Sequence, residues 1–203
     1  MLIEYWSIYT RWLEERFPPL YNSLIEGASK VQLTKFQESL GFELSQDFFD
    51  LYTLNNGSTK NATEGVFLGF KFLSLTEIAQ TLNDWKQYKN DSLGSSYPQD
   101  AIQVGYTNPK WIPLFSDFAG NHIGIDFDPA EKGQIGQVIN FGRDQYEKFV
   151  VARDLTSFFE LISNEVLVGN VDNSIVEEEP GIFSFGLRPQ SHLIEDLREI
   201  VLG

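Results

Sequence analysis

The groups able to do chemistry in this chain are few in kind. There are two histidines, His122 and His192, and no cysteine. Thiol catalysis, disulfides and cysteine-ligated zinc are excluded, and the composition suits a reducing cytoplasm. The histidines are far apart in sequence. Neither has a second ligand at a spacing such as His-x-x-x-His, which would put two imidazoles on one helix face. His122 falls on the polar side of an alternating stretch and reads as a polar-face residue rather than a base. Asp126-Phe127-Asp128-Pro129-Ala130-Glu131-Lys132-Gly133 has the outline of a calcium loop. Such a loop needs an oxygen ligand where Ala130 stands and a glycine where Glu131 stands, so a turn between strands is the better reading. No Gly-x-Ser-x-Gly elbow, phosphate-cradling loop or dinucleotide fingerprint occurs. With 29 acidic residues, some carboxylates will pair by chance, and a glycosidase pair cannot be read without geometry. No catalytic residue, metal ligand or cofactor is assigned.

Charge narrows the choice of partner without deciding it. The 29 acids face 15 bases, a net charge of −14 over 203 residues. Such a field repels phosphate backbones and anionic membranes and attracts basic partners, although solubility alone also accounts for it. Lys86, Lys89 and Lys110 form no continuous patch, which argues against nucleic-acid binding. The start, Met1 to Trp6, carries an early acid and no basic-then-apolar run, so no secretory signal is expected. No stretch reaches the roughly 20 apolar residues of a membrane span. The glycosylation sequons at Asn56, Asn61 and Asn90 are then coincidences, and a cytoplasmic location is expected. Trp12 and Trp85 sit on apolar helix faces and read as core. Trp111, beside a turn-rich region, is the tryptophan best placed for an interface rim, with core packing as its competing role.

The elements that must position these groups follow from periodicity and punctuation. Tyr5, Ile8, Trp12 and Leu13 give an amphipathic helix from Leu2 to Phe17, ended by Pro18-Pro19. Val31 to Leu40 is a second helix, stopped by Gly41. Ser45 caps a third, with Phe48, Phe49, Leu51, Tyr52 and Leu54, closed by Asn55-Asn56-Gly57. Val66 to Phe70 is β-prone. Ser74 and Glu77 form a capping box opening a helix through Ile78, Leu82 and Trp85. Tyr88 to Tyr97 reads as a loop. Strands are expected at Trp111–Phe115, Asn121–Phe127, Gln137–Phe141 and Phe149–Ala152, the second alternating and half-buried. Asp154 caps a helix with Leu155, Phe158, Phe159, Leu161 and Ile162. After Gly169 the acidic run Glu177-Glu178-Glu179-Pro180-Gly181 reads as a linker, before a last amphipathic helix within Ser191–Leu202. That short helix must dock on the main domain or on a second subunit, which allows a homodimer. Helices first, then consecutive hairpin-like strands, then a helix argue for an α+β fold with a largely antiparallel sheet.

The order of these motifs resembles the SUKH superfamily. Gly41-Phe42-Glu43-Leu44-Ser45 with its aromatic helix and closing Asn56-Gly57 is similar to the family's opening signature. Phe72-Leu73-Ser74-Leu75-Thr76-Glu77-Ile78 resembles its strand-to-helix step. Trp111-Ile112-Pro113-Leu114, Ala119-Gly120-Asn121 and Ile125-Asp126 resemble its central strands, Gly136-Gln137-Val138 its next hairpin, and Asp154 to Ile162 its closing helix. Ser45 replaces the usual proline, and one glycine stands where a pair is usual. The likeness covers residues 28 to about 166. It divides the chain into an N-terminal helical extension (1–27), a SUKH-like domain (28–168), and a linker with a C-terminal helix (169–203).

The resemblance implies a single α+β domain, its curved and mainly antiparallel sheet flanked by N-terminal helices and a closing helix, and a function without catalysis. Bacterial relatives are immunity proteins that neutralise toxins, often nucleases; fungal relatives regulate cell-wall synthesis through protein partners. Toxin neutralisation is the leading expectation, because nuclease toxins tend to be basic and an acidic inhibitor associates fast by electrostatic steering. A scaffold of cell-wall or glucan synthesis is the alternative. The partner-binding residues expected are Trp111, Asp117, Asn121, Asp126, Asp128 and Glu131, with Asp126 and Asp128 equally able to serve a turn.

Overall fold

In the computed structural model, residues 1–59, 65–88, 94–180 and 182–203 are described. The sequons at Asn61 and Asn90, Lys89 and Gly181 lie outside them. The chain runs α1 (Leu2–Arg16), α2 (Pro18–Tyr21), β1 (Leu24–Glu26), α3 (Lys30–Leu40), α4 (Gln46–Leu54), β2 (Asn55–Ser58), β3 (Lys71–Phe72) and α5 (Leu75–Trp85). It continues with β4 (Ser95–Tyr97), β5 (Trp111–Ser116), β6 (Asn121–Asp126), β7 (Gln137–Gly142), β8 (Glu147–Ala152) and α6 (Leu155–Leu167). The last elements are α7 (Asn170–Asn173), β9 (Val176–Glu179), β10 (Ile182–Ser184) and α8 (Leu193–Leu202).

Local chemistry sets the helix boundaries. Ser29 and Gln32 make a capping box for α3, which ends on Gly41 at φ 77°. Ser45 Oγ accepts the Phe48 amide, Ser74 and Glu77 form the box of α5, and Asp154 accepts the Ser157 amide. One six-stranded sheet, in the order β3-β5-β6-β7-β8-β4, is antiparallel except for the edge strand β4, which runs parallel to β8. The fold is α+β, as the element order suggested.

Four expectations need correction. The Tyr88–Tyr97 loop contains β4, whose polar Ser95-Ser96 conceals its pairing with β8. Val66–Phe70 is a tight turn in which Phe67 and Phe70 exchange both backbone hydrogen bonds at 2.8 Å. Leu68 and Gly69 take φ 48° and 83° there, while Phe67 stacks on Phe115 at 3.9 Å. The aromatics that look β-prone are core residues on the two arms of a turn. The stretch after Gly169 is not a linker. It holds α7 and the β9–β10 hairpin, and Phe185 stacks on Phe17 at 4.7 Å. Its acids are exposed on β9, which hid the element. Finally, β6 is not half-buried, for every residue in it is buried. Ile123 and Ile125 face the helices; the other face is covered by Ala101, Ile102 and Trp85 packed around Trp111, Ile139 and Phe141.

Segments 1–27 and 169–203, which the resemblance left aside, share the main core. Trp6, Tyr9, Trp12 and Leu13 of α1 belong to it, as do Leu193, Ile194 and Leu197 of α8. Tyr5 Oη donates to Glu160 Oε1 at 2.9 Å and Trp12 Nε1 to Asp172 Oδ1 at 3.1 Å, which ties α1 to α6 and α7. The apolar stripe of α8 is used within the chain, and Arg198 pairs with Glu147 at the base of β8.

Candidate interaction site

The β5–β6 hairpin carries all six residues expected at a partner surface on or next to it, yet separates them. Its register sets Trp111 opposite Asp126 at one end, with Asp117 and Asn121 at the turn. The six-residue strands hold these ends about 17 Å apart.

At the open end, Trp111 and Asp126 are both 0% exposed. Trp111 is therefore a core residue and not a rim anchor. Asp126 accepts the Asp128 amide at 2.8 Å and the Gln137 side-chain amide at 2.9 Å, so it organises the turn that follows β6. Burial pushes its carboxyl up to about 6, against those two hydrogen bonds, and the charge of Asp128 adds to the rise. The Trp111 indole N–H favours the anion without reaching hydrogen-bond geometry. Lys148 is also buried here, its Nζ 5.6 Å from the centre of the Trp111 ring, and desolvation lowers it to about 8. Asp128 is partly exposed, held by Asn108 and Lys110, and Glu131 is exposed. Of the four expected partner residues at this end, Asp128 and Glu131 are the two open to direct contact.

The sign of the Asp126 shift gives a pH prediction. A carboxyl raised in the folded state stabilises fully below its unfolded value and loses that contribution as pH rises through about 6. Asp126→Asn removes the titration. Measured by urea unfolding, the variant should gain on the parent by about 2 kcal/mol between pH 4 and pH 7. Parallel pH profiles for the two proteins would refute the assignment.

The turn end is built by Asp117. Its Oδ1 accepts the amides of Ala119 (2.8 Å) and Asn121 (2.9 Å), and its Oδ2 accepts Asn121 Nδ2 at 2.7 Å and lies 3.4 Å from His192 Nε2. Burial alone would raise this carboxyl. The hydrogen bonds from His192, Asn121 and Ala119 outweigh it and hold the group well below the usual carboxylate range. Asn121 is buried and also reaches the β7–β8 turn: its Oδ1 accepts the Asp144 amide at 2.8 Å and its Nδ2 lies 3.3 Å from Asp144 Oδ2. It fastens two turns together and is not itself a contact surface. The neighbouring His122 is buried against Trp85 and Phe141, not on a solvent-facing strand side; desolvation lowers it to about 4, and its Nδ1 has no hydrogen-bond partner among the described residues.

Beside this turn lies an open cleft of about 310 Å³. Phe70, Phe183, Phe185 and Leu193 supply apolar walls, and Asp117, Ser184, Ser191 and His192 supply polar ones. Phe118 stands on its edge, 57% exposed, with φ 64°. The Tyr9 hydroxyl positions the cleft from beneath, donating to Val66 O at 2.8 Å and accepting the Leu68 amide at 3.1 Å. The sequence identified Asp117 but missed Phe118 and His192. An aromatic inside a polar turn was the available signal for Phe118; none existed for His192, which reaches the site from another part of the chain. Among the described residues, no group of three or more histidines and carboxylates is placed to hold a metal ion.

This arrangement suits a contact surface, and the comparisons with known proteins supply the family. Residues 27–161 match the model of the SMI1 / KNR4 family (SUKH-1). The chain is 33% identical over 193 residues to the cell wall biosynthesis/cell cycle regulator smi1 of Schizosaccharomyces pombe, covering 85% of this chain and 38% of that protein. It is 27% identical to the glucan synthesis regulatory protein of Neurospora crassa, covering 81% of this chain and 38% of that one. Its identity to the cell wall assembly regulator SMI1 of Saccharomyces cerevisiae is also 27%, with 81% and 40% covered. The chain thus spans about two fifths of the length of these relatives. With two thirds of its residues matched by one family model, in a fold whose element order is the one that resemblance implies, the chain belongs to the SMI1/KNR4 family.

Proposed function

We propose that this chain is a non-catalytic regulatory module of cell-wall or glucan synthesis, acting in the cytoplasm by binding protein partners. The observation that carries this reading is the match to three fungal proteins named as regulators, each covering 81% or more of the chain. Their names reverse the order of the two expectations: cell-wall regulation now stands ahead of toxin neutralisation. The site supports the same reading. The Asp117 carboxylate is fully engaged by the protein's own donors and stays anionic, so it serves to shape a surface rather than to exchange a proton. The excess of acids favours a basic partner, and exposed Asp128 and Glu131 belong to that field. Among the described residues no helix is long and apolar enough to cross a membrane.

A domain exchange tests the proposal. This chain replaces the matching region of the Schizosaccharomyces pombe regulator, and growth is followed in the presence of a wall-digesting enzyme. The exchange strain should tolerate the enzyme within about twofold of the parent, while a strain lacking the region sets the sensitive limit. Sensitivity equal to that limit, with the hybrid protein folded and present at parental level, would remove the regulatory reading.

A further inference from the structure

We infer that the cleft between the β5–β6 turn and the C-terminal hairpin docks a partner segment in which an aromatic or long aliphatic side chain stands next to a lysine or arginine. This rests on reading the chain as a protein-binding module, and it adds where the partner sits and what its chemistry is.

Two independent features locate the contact. The first is the cleft itself, whose volume of about 310 Å³ lies at the small end of the range for binding pockets. Its apolar walls are mostly aromatic, and Gly69 leaves its own side open, since among the described residues a Cβ there would meet only Phe185 O at 3.6 Å. One inserted side chain of moderate size fits such a space better than an extended ligand does. The second is Phe118. A bulky residue in the left-handed region costs about 1–3 kcal/mol and persists only where the surroundings impose it. Here the two amide bonds into Asp117 impose it, and they turn the Phe118 ring out of the core to the edge of the cleft. An exposed aromatic held in that way adds to the apolar surface a partner can cover.

Charge decides what accompanies the apolar group. Asp117 is the one carboxylate among the described lining residues, and it stays anionic. Glu178 stands one hydrogen bond behind Ser184, and Asp144 one behind Asn121. Against them stand His192 in the wall and Arg143 packed near Gly120. The balance around the rim is negative, as it is for the whole chain, and it favours a cation beside the inserted side chain. An acidic partner segment would meet like charge on two sides.

The test is selection from a random twelve-residue displayed library on the immobilised 203-residue chain, followed by affinity measurement with the synthetic consensus peptide. The expected consensus places Phe, Tyr, Trp or Leu within two residues of Lys or Arg. Phe118→Ala should weaken that peptide at least tenfold, and Phe118→Lys further. Val31→Ala, an exposed apolar residue on α3, should leave it unchanged. Both Phe118 variants must unfold within about 0.5 kcal/mol of the parent, as expected for an exposed side chain. Affinity should fall as salt is raised. A consensus without a cation, an affinity indifferent to Phe118, or a cleft filled by a second copy (a dimer lost on Phe118→Ala that the peptide does not displace) would each overturn the inference. None of these outcomes bears on the domain exchange, so failure of the cleft and failure of the regulatory reading are separable.

Discussion

Trp6→Ala is expected to cost about 3–5 kcal/mol of stability, the range for emptying a buried aromatic site. Trp6 is 2% exposed, and its ring lies 5.3–6.3 Å from those of Tyr9, Phe67, Phe72 and Phe159. These partners come from α1, the turn before β3, β3 itself and α6, so one truncation opens a hole where four parts of the chain meet. The indole N–H also donates to Asn55 Oδ1 at 2.8 Å, and removing it leaves that part-buried acceptor without a strong donor. Trp6→Phe separates the two contributions and should cost only about 1–2 kcal/mol, because most of the packing survives. Urea unfolding of both variants decides the matter, with midpoints falling and slopes unchanged. A loss below about 1 kcal/mol for the alanine variant would mean that residues 1–27 are an appendage to the core. The expected loss would mean that a piece trimmed to the family-matched residues 27–161 lacks part of its own core.

What the sequence disclosed and what it hid follow from the range of the forces involved. Helices α3 to α6 were legible because their signals are local: Ser45, the Ser74–Glu77 box, Asp154 and Gly41 act within four residues of themselves. Strands β5 to β8 were legible because each is a short apolar, β-prone run set between turn signals, with period-two alternation added in β6. The strand β4 was not, since Ser95 and Ser96 gain their meaning from Glu147 and Lys148, fifty residues on. The C-terminal hairpin was hidden by the acids on its exposed strand.

The site was legible only at its turn. Asp117 followed by Gly120 announces a turn wherever it stands, so that residue was found. The cleft has walls from residues 65–70, 117–118 and 183–193, and nothing local brings those stretches together. The burial of Trp111 and Asp126 was equally concealed. It depends on the segment before β5, whose Ala101 and Ile102 look incidental in a polar stretch and yet close the second face of the sheet.

Asn121→Asp is the other large effect expected, and it tests how the turn end is held. In the parent protein Asn121 Nδ2 donates toward Asp117 Oδ2 and Asp144 Oδ2 at 2.7 and 3.3 Å, while Oδ1 accepts the Asp144 amide. An amide suits this place because it presents donors to two carboxylates and an acceptor to one N–H. The substitution keeps the shape, deletes both donors and sets a third carboxyl, 5% exposed, between two others. Like charge and burial act in the same direction on it, raising its pKa. At pH 7 the loss should be about 3–5 kcal/mol, comparable to leaving a buried charge unpaired. The linkage sign then separates this cause from simple loss of packing. A carboxyl raised in the folded state is least harmful where it is protonated, so the variant should recover part of its deficit as pH falls from 7 toward 4. Asn121→Ala removes the same donors without adding a charge; it should lose about 1–3 kcal/mol with no such recovery. In both variants Asp117 loses the side-chain donor to its Oδ2, so the carboxylate that gathers the Ala119 and Asn121 amides, and through them places Phe118, is held less firmly. Binding of the cleft-selected peptide to whatever fraction remains folded should therefore fall as well. An aspartate variant as stable as the parent at pH 7, or one whose deficit is flat with pH, would mean that the two turns are joined by something other than this side chain.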